Sequence, residues 1–367
     1  GHLRRCRTIA HALVEEFSGL SVLIVSGSPI IGSFNFRARV DFIRIPGVIK
    51  LRNSEYTSLN LHLRIGETLA LRQSIIQHTA DIFSPDIFIV DKEPLGLRGE
   101  VAPALEILKA RGARLVLGLR DVLDDPARLA SEWRRKRAMP ALERLYDEIW
   151  VYGLPGIHQP LEGLGAPGAV NDKLRYTGYL CAPPPPPPVA MRWPEITTGP
   201  YILVTTGGGG DGEGLIDWVL SAYEHAAGNG HAPPMPALLV LGPFMSPEAQ
   251  AGFLARAAKL QTLGAITFES HMEQLQARAA AIVAMGGYNI FCEILSLDKP
   301  ALLVPRAQPR LEQTIRAGQA EALGLVSVLR DPLDDGATAR DPRIMLAALH
   351  RLAQARPPSR MNVPGLR

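Results

Sequence analysis

Two glycines and one carboxylate stand at a spacing suited to a phosphorylated, hydroxyl-rich ligand. Gly286 and Gly287 follow a short apolar run, and Glu293 comes about a turn and a half into the helical pattern that begins at Tyr288. A helix that starts at glycines presents bare backbone N–H groups at its positive end, which suits a phosphate. Glu293 can accept hydrogen bonds from a sugar or ribose diol at the same crevice. The pattern therefore predicts a ligand site at this helix start.

A second glycine-rich segment has related chemistry. Gly208, Gly209, Gly210 and Asp211 lie between an apolar run and a helical pattern. Such a loop brings backbone N–H groups close to a diphosphate, although a flexible turn explains it equally well when it is taken alone. It matches neither the P-loop motif nor a clean GxGxxG, which argues against a nucleoside triphosphatase or a dehydrogenase. Together with the helix start at Gly287, it favours phosphate binding.

A polar loop follows the next apolar run, at residues 301–304. Its hydrogen-bonding side chains are Arg306, Gln308, Arg310, Glu312 and Gln313. Long side chains of this kind contact hydroxyl-rich ligands, so the loop is a candidate sugar site.

His2 is the candidate general base, because it lies in a glycine turn at a helix start. An imidazole titrates near neutrality and can take a proton from an attacking hydroxyl. Arg4 and Arg5 can hold an anionic acceptor group. Competing candidates for the base are acidic residues at strand ends of the first half: Asp91, Glu93 and Asp121. A surface charge is the alternative for each of these residues.

The elements that must position these groups alternate between strand and helix, which predicts parallel sheets. The predicted strands are residues 21–25, 41–45, 86–90, 115–119, 148–151, 201–205, 238–241, 265–268, 281–284, 301–304 and 325–329. The longer predicted helices are residues 3–17, 60–83, 100–111, 126–146, 247–260, 312–323 and 342–355. Because the helical pattern begins almost at once, we expect a first strand to precede this sequence.

Six prolines at residues 183–188 divide the chain almost in half. A proline run favours an extended polyproline helix and acts as a semi-rigid spacer, or as a ligand for a proline-binding domain. We therefore predict two Rossmann-like doubly wound parallel-sheet domains, residues 1–182 and 199–367, joined by a linker at 183–198. A ligand cleft between them would be lined by the carboxyl ends of both sheets.

Composition narrows the function classes. The chain has 367 residues, 47% of them hydrophobic, which is enough for two cores. A net charge of +3 without long charge runs argues against nucleic acid as a partner. The apolar runs fall far short of the ~20 residues that span a bilayer. Three widely spaced cysteines form neither a disulfide framework nor a metal-ligand pattern, which fits the cytoplasm.

The second half resembles the donor domain of the two-domain (GT-B) nucleotide-sugar glycosyltransferases, in particular the family 28-like relatives of the lipid-linked peptidoglycan N-acetylglucosaminyltransferase. The likeness rests on four segments in order, residues 208–212, 268–272, 286–293 and 300–317. In the first half, the GHLRRC segment at residues 1–6 resembles the histidine-bearing turn of these transferases. It is also similar to the GHxxRC turn of the UDP-sugar hydrolase of pseudaminic acid synthesis.

The resemblance implies a role for each matching residue. The diphosphate would lie on Gly208, Gly209, Gly210, Asp211, Gly286, Gly287, Tyr288 and Asn289. The backbone near Glu269 would contact a uracil, Glu293 the ribose hydroxyls, and Glu312 with Gln313 the donor sugar. His2 would be the catalytic base. Asp121 remains a second catalytic candidate from its position at a strand end, not from the resemblance.

The expected activity is therefore transfer of a hexose from a UDP-sugar to an acceptor hydroxyl, without a cofactor or a metal ion. The alternatives are a UDP-sugar hydrolase or epimerase on the same fold, or a non-catalytic nucleotide-sugar binding protein. The resemblance implies a lipid-linked or polysaccharide acceptor of the cell envelope, and a cytoplasmic location at the inner membrane face. The oligomeric state and the sugar stay open.

Overall fold

The structure is a computed structural model that describes residues 2–50, 56–180, 193–207, 210–230 and 235–360. The chain forms two compact units. Unit 1 comprises Gly1–Pro155 and Gln159–Leu180, and unit 2 comprises Gly156–His158 and Cys181–Arg367. The six prolines lie outside the described residues. No helix in the described ranges is long and apolar enough to cross a membrane.

Unit 1 contains eight described strands and six described α-helices. The strands are β1 (Val22–Ser26), β2 (Val40–Arg44), β3 (Val48–Lys50), β4 (Tyr56–Ser58), β5 (Ile87–Asp91), β6 (Arg114–Arg120), β7 (Glu148–Tyr152) and β8 (Leu174–Tyr176). The helices are α1 (His2–Glu16), α2 (Ile65–Phe83), α3 (Ala102–Ala110), α4 (Pro126–Arg135), α5 (Ala138–Arg144) and α6 (Gly168–Asn171). A short 3₁₀ turn covers Ile31–Ser33.

The strands of unit 1 pair mainly in parallel, as the alternating pattern predicts. β1 pairs with β2, and β5, β6, β7 and β8 form a four-stranded parallel sheet in that order. β3 and β4 form an antiparallel pair that the sequence pattern did not predict. The main core of the unit is built from the apolar faces of β5, β6 and β7 together with α3 and α5.

The single helix predicted at residues 126–146 is wrong. The apolar spacing is continuous through this stretch, but α4 and α5 are separate because Arg137 has φ 52°, in the left-handed region that ends a helix. No glycine marks this break. β8 was also missed, since it has only three residues and short strands give a weak pattern.

Unit 2 contains six described strands and six described α-helices. The strands are β9 (Ile202–Thr205), β10 (Ala237–Val240), β11 (Leu263–Ile266), β12 (Ala281–Ala284), β13 (Ala301–Leu303) and β14 (Ser327–Val328). The helices are α7 (Glu213–Gly228), α8 (Pro247–Ala257), α9 (Met272–Arg278), α10 (Tyr288–Ser296), α11 (Glu312–Ala322) and α12 (Pro342–Leu352). 3₁₀ turns cover Glu195–Thr197 and Pro358–Arg360.

All strand pairs described in the unit 2 sheet are parallel, in the order β11-β10-β9-β12-β13-β14. Counted from the first strand of the unit this order is 3-2-1-4-5-6, the order of the Rossmann fold. β9, β10 and β12 are buried along their whole length, which explains their near-continuous apolar sequences. The strand order reverses between β9 and β12, and ligands of such sheets bind at the carboxyl ends of these two strands.

Candidate active site

His2, in the first turn of α1, lies against the end of β5 in unit 1. Its Nδ1 contacts Oδ2 of Asp91. Arg5, about one turn further along α1, donates from Nε to Oδ1 of Asp91 at 2.8 Å and from Nη2 to Oδ2 at 2.6 Å. The side chains of Arg5 and Asp91 are 3% and 11% exposed, whereas that of His2 is 59% exposed. A nearly buried carboxylate therefore carries an imidazole that stays open to solvent.

Electrostatics determine which nitrogen of His2 carries the proton. Burial opposes ionisation of Asp91, but the hydrogen bond from His2 and the charge of Arg5 outweigh it and lower the carboxyl pKa to about 2. An ionised carboxylate only accepts, so His2 donates from Nδ1 and the lone pair of the neutral ring lies on Nε2. Desolvation lowers the pKa of His2 below 6.5, against the opposing effect of Asp91. The ring is thus neutral at pH 7 and able to accept a proton on Nε2.

This arrangement corrects one prediction about Arg5. The sequence suggested that Arg5 holds an anionic acceptor, but its Nε and Nη2 both donate to Asp91. The guanidinium also lies over the ring of Tyr152, 5.7 Å from its centroid. A buried guanidinium requires a carboxylate partner, so Arg5 fixes Asp91 instead of contacting a ligand.

The turn after β5 places Asp91 at the end of its strand. Lys92 has φ 74°, a conformation that residues with side chains rarely adopt. Its N–H donates to the carbonyl oxygen of Gly118 at 2.8 Å, and the N–H of Glu93 donates to that of Asp91 at 3.0 Å. Strained backbone of this kind is concentrated at functional sites, where the surrounding structure enforces it.

The other acidic candidates of unit 1 have structural partners. Glu93 pairs with Lys136 at 2.7 Å. Asp121 is fully buried; its Oδ1 accepts from the N–H of Val122 at 2.7 Å and its Oδ2 from the hydroxyl of Tyr179 at 3.1 Å. Its carboxylate therefore fixes the loop after β6 and has no solvent-exposed surface.

In unit 2, Gly286 and Gly287 lie where the Rossmann order predicts a ligand, at the carboxyl end of β12. Gly286 has φ 80°, which favours glycine, and its carbonyl oxygen accepts from Nη1 of the fully buried Arg316 at 3.0 Å. Gly287 precedes α10, and apart from Gly287 and its two chain neighbours no described residue has an atom within 4 Å of the position that a Cβ would take there. The helix start is therefore fixed by Arg316 at Gly286 and open at Gly287.

The first residues of α10 differ in exposure. Tyr288 is buried, with the guanidinium of Arg316 5.7 Å from its ring centroid, whereas Asn289 is partly exposed. Glu293 is partly buried, and its Oε2 accepts from Nε2 of Gln276 at 2.6 Å. Oε1 of the buried Gln276 has no hydrogen-bond partner among the described residues. Gln276 therefore orients Glu293, a role that nothing in the sequence pattern indicated.

Gly210 and Asp211 follow β9, which is the neighbour of β12 in the sheet. Gly208 and Gly209 are outside the described residues, whereas Gly210 and Asp211 are exposed. Gly212 ends the loop, and a Cβ at this position would come within 2.2 Å of the side chain of Thr206. The loop can therefore close onto its strand only with glycine at this position.

The loop after β11 is held by Glu269. Its Oε2 accepts from Nε1 of Trp193 at 2.9 Å, and its Oε1 from the N–H of His271 at 2.7 Å. Burial opposes ionisation of Glu269, but these two hydrogen bonds outweigh it and lower its pKa. The carboxylate thus fixes the backbone that the resemblance places against a uracil.

The polar loop after β13 converges on Arg306. Nε of Arg306 lies 2.8 Å from Oδ2 of Asp211, and Nη2 donates to Oε1 of Glu312 at 3.2 Å. The N–H of Arg306 donates to Oε1 of Gln313 at 3.3 Å. Glu312 and Gln313 are 5% and 7% exposed, so neither is a surface residue. Arg306, one of the predicted polar residues of this loop, is thus the common partner of Asp211, Glu312 and Gln313.

One groove lies away from all of these residues. Its volume is about 510 Å³, and Pro200 and Pro236 line it at the amino ends of β9 and β10. Ligands of parallel α/β sheets bind at the opposite, carboxyl ends. We therefore assign the candidate site to the strand ends and not to this groove.

Comparison with solved structures identifies proteins of the same fold. A UDP-glucosyltransferase from Polygonum tinctorium capable of glucosylating indoxyl has a TM-score of 0.60 and 12% identity, covering 95% of this chain and 90% of its own. MurG of Acinetobacter baumannii has a TM-score of 0.55 and 13% identity, covering 97% and 92%. A putative UDP-N-acetylglucosamine 2-epimerase from Listeria monocytogenes has a TM-score of 0.58 and 10% identity, covering 97% and 88%.

No protein-family model and no curated protein sequence matches the chain. At 10–15% identity the structural likeness shows the fold alone. The likeness extends over nearly the whole length of this chain and of the three solved proteins. The chain therefore has the GT-B fold of two Rossmann-like domains, which glycosyltransferases and an epimerase share.

Proposed function

We propose that the protein transfers a sugar from a UDP-sugar to an acceptor hydroxyl. The observation that carries the proposal is the His2–Asp91–Arg5 cluster, because it holds a neutral imidazole with Nε2 free to take a proton. The fold, shared with a UDP-glucosyltransferase, supports a nucleotide-sugar donor. The acceptor is proposed by resemblance as a lipid-linked or polysaccharide hydroxyl.

His2 acts as the general base in this proposal. Nε2 takes the proton of the acceptor hydroxyl while its oxygen forms a bond to the anomeric carbon of the donor. The bond from that carbon to the diphosphate breaks, and UDP leaves with the bonding electrons. Asp91 keeps the proton on Nδ1 and stabilises the imidazolium that forms. Asp121 positions the loop after β6.

The donor is assigned to the strand ends of unit 2. Backbone N–H groups at the start of α10 and in the glycine loop stabilise the leaving diphosphate, a role that requires no metal ion. Glu293 accepts hydrogen bonds from the ribose hydroxyls, and the backbone beside Glu269 contacts the uracil. Glu312 and Gln313 contact the sugar. The open space at Gly287 supports this assignment.

A UDP-sugar hydrolase or epimerase is the second candidate. It is favoured by the likeness to the putative 2-epimerase and by the solvent exposure of His2, which lets water reach Nε2. Incubation with UDP-sugars in the absence of an acceptor separates the candidates. Rapid stoichiometric release of the sugar, or its epimerisation, would contradict the transferase.

A thermal-shift screen across nucleotides and nucleotide sugars tests the proposal before the acceptor is known. A ligand that binds the folded state stabilises it by about 2.7 kcal/mol at about 100 times its Kd. We expect UDP and at least one UDP-sugar to raise Tm, and guanosine and adenosine nucleotides to have little effect. If no uridine compound raises Tm, the proposed donor is wrong.

A further inference from the structure

Arg306 lies beside the predicted diphosphate position, although no sequence motif assigned it a role there. It follows β13, and Asp211 follows β9; the strand between them in the sheet is β12, which ends just before Gly286 and Gly287. The ion pair between Arg306 and Asp211 therefore spans the end of β12. A ligand at the start of α10, which follows β12, would therefore lie close to this pair.

The contacts of Arg306 are incompletely formed. Nε of Arg306 lies 2.8 Å from Oδ2 of Asp211, yet the hydrogen on Nε makes no directed hydrogen bond within the described structure. Nη2 reaches Oε1 of Glu312 at 3.2 Å, and Nη1 donates to the carbonyl oxygen of Gln308 at 2.8 Å. The second oxygen of Glu312, Oε2, is buried and has no hydrogen-bond partner among the described residues. Buried polar atoms are nearly always paired. Nε of Arg306 needs an acceptor, such as a phosphate oxygen, whereas Oε2 of Glu312 needs a donor, such as a sugar hydroxyl.

The charges also conflict with a bound diphosphate. Asp211 is 53% exposed on the glycine loop, and an ionised carboxylate can only accept hydrogen bonds. It would repel a diphosphate placed on the same loop. Arg306 carries the opposite charge and a planar fork that matches phosphate oxygens. Asp211 and the diphosphate are therefore competitors for the same guanidinium.

We propose that Arg306 is a diphosphate-binding residue that Asp211 holds in the ligand-free protein, and that it passes from Asp211 to the donor's diphosphate on binding. This inference rests on the proposed function in taking a nucleoside diphosphate as the ligand. Glu312 keeps its contact with Nη2 and restricts the guanidinium to this end of the sheet. Asp211 is thus a competitor of the diphosphate and not one of its ligands.

Calorimetric titration with UDP and with inorganic pyrophosphate at pH 7.5 tests the exchange on three proteins: the wild type, Arg306→Met and Asp211→Asn. Loss of the guanidinium should weaken UDP binding by roughly tenfold or more. Loss of the competing carboxylate should tighten it by about two- to fivefold, the range of an exposed ion pair. Opposite changes of UDP affinity in the two variants indicate that Asp211 and the diphosphate compete for Arg306.

Matched controls come from the Arg144–Glu106 pair in unit 1, whose side chains are 65% and 49% exposed. Arg144→Met and Glu106→Gln change the net charge in the same way in the other unit, and both should leave UDP binding within about twofold of the wild type. Because Asp211 is exposed, Asp211→Asn gives a folded variant even if Arg306→Met does not fold.

Each outcome has a defined consequence. If Asp211→Asn weakens UDP binding or leaves it unchanged, the Arg306–Asp211 pair has only a structural role. The exchange is then wrong, and the proposed donor still stands. Another outcome is a wild type that binds pyrophosphate but not UDP, with weaker pyrophosphate binding by Arg306→Met and tighter binding by Asp211→Asn. In that case the exchange stands and the uridine donor is rejected. Binding of neither probe by the wild type would overturn both.

Discussion

The two candidate sites differ in how complete they are without a ligand. In unit 1, the carboxylate of Asp91 is bonded by His2 and twice by Arg5, so the group that is to move a proton has its orientation fixed in advance. In unit 2, Gly287 opens onto empty space and Oε2 of Glu312 has no partner among the described residues. A catalytic base needs fixed geometry, whereas a binding site has hydrogen-bonding groups that are paired only when the ligand binds.

This difference separates the expected effects of substitution. Changes at the unit 1 cluster should affect turnover or folding and leave nucleotide affinity alone, because its side chains satisfy one another. Changes at Asp211 and Glu293 in unit 2 should affect nucleotide affinity. Substitutions in each unit can therefore test whether turnover and nucleotide affinity are lost separately.

The largest effect is expected for His2→Ala. General base catalysis contributes about 10²- to 10⁴-fold, so turnover should fall by that factor. The measurement is initial rates with a UDP-sugar donor that the thermal-shift screen identifies. His78→Ala removes an exposed histidine of α2 in the same unit and should retain the wild-type rate. Unchanged turnover in His2→Ala would remove His2 from the mechanism.

Asp91→Asn should reduce the free energy of unfolding, because it removes the carboxylate to which Nε and Nη2 of the buried Arg5 donate. Removal of one partner of a buried ion pair costs about 3–5 kcal/mol. Urea unfolding at pH 7 measures the change. The exposed pair of Arg111 with Asp81 supplies the control, since Asp81→Asn should cost at most about 1 kcal/mol. Equal costs for the two variants would contradict the buried cluster.

The pH dependence of stability gives a second measure of Asp91. Its pKa is about 2 in the folded protein against an ordinary value of 3.8, so its stabilising effect is fully present above pH 3.8 and is lost as the pH falls towards 2. The shift corresponds to about 2 kcal/mol. In urea unfolding between pH 5 and pH 2, the wild type should therefore lose about 2 kcal/mol more of its unfolding free energy than Asp91→Asn.

Glu293→Gln should weaken UDP binding by roughly tenfold, because hydrogen bonds to a charged acceptor are stronger than those to an amide. Comparing UDP with its 2′-deoxy analogue locates the lost contact: the wild type should prefer UDP, and the variant should not. Gln276→Leu should have a smaller effect of the same kind, since it only releases Glu293. Glu248→Gln, on the exposed side of α8, is the matched control. A retained preference for UDP in Glu293→Gln would contradict the ribose assignment.

The smallest effect is expected in the pH profile of kcat/KM. Desolvation lowers the pKa of His2, so the ring is neutral, and competent as a base, at pH values above that pKa. Activity should rise from acid pH to a plateau, with its midpoint below 6.5. Rate measurements from pH 5 to pH 8 determine the midpoint. A midpoint above 6.5 would contradict the lowered pKa of the Asp91-bound ring.

The sequence predicts the unit 2 sheet well for a physical reason. Its central strands are buried on both faces, so each appears as an apolar run such as β12, bounded by glycine. Edge and antiparallel strands have no such signature: β3 and β8 have three residues each and were missed. The break at Arg137 was missed because backbone conformation, not composition, separates α4 from α5.

The candidate site was predictable residue by residue but not in its pairings. His2 and Asp91 were separate candidates for one role, because they are 89 positions apart in the sequence and only the fold brings them together. The same holds for Asp211 and Arg306, which share an ion pair through the strand order. Spacing identifies groups that lie on one element; contacts between distant elements depend on the sheet.

The most direct test of the division between a base in unit 1 and a donor site in unit 2 is calorimetric titration of UDP into the wild type, His2→Ala and Glu293→Gln. We expect the same Kd for the wild type and His2→Ala, and roughly tenfold weaker binding by Glu293→Gln. No binding of UDP by the wild type, or an equal loss in His2→Ala and Glu293→Gln, would contradict this division.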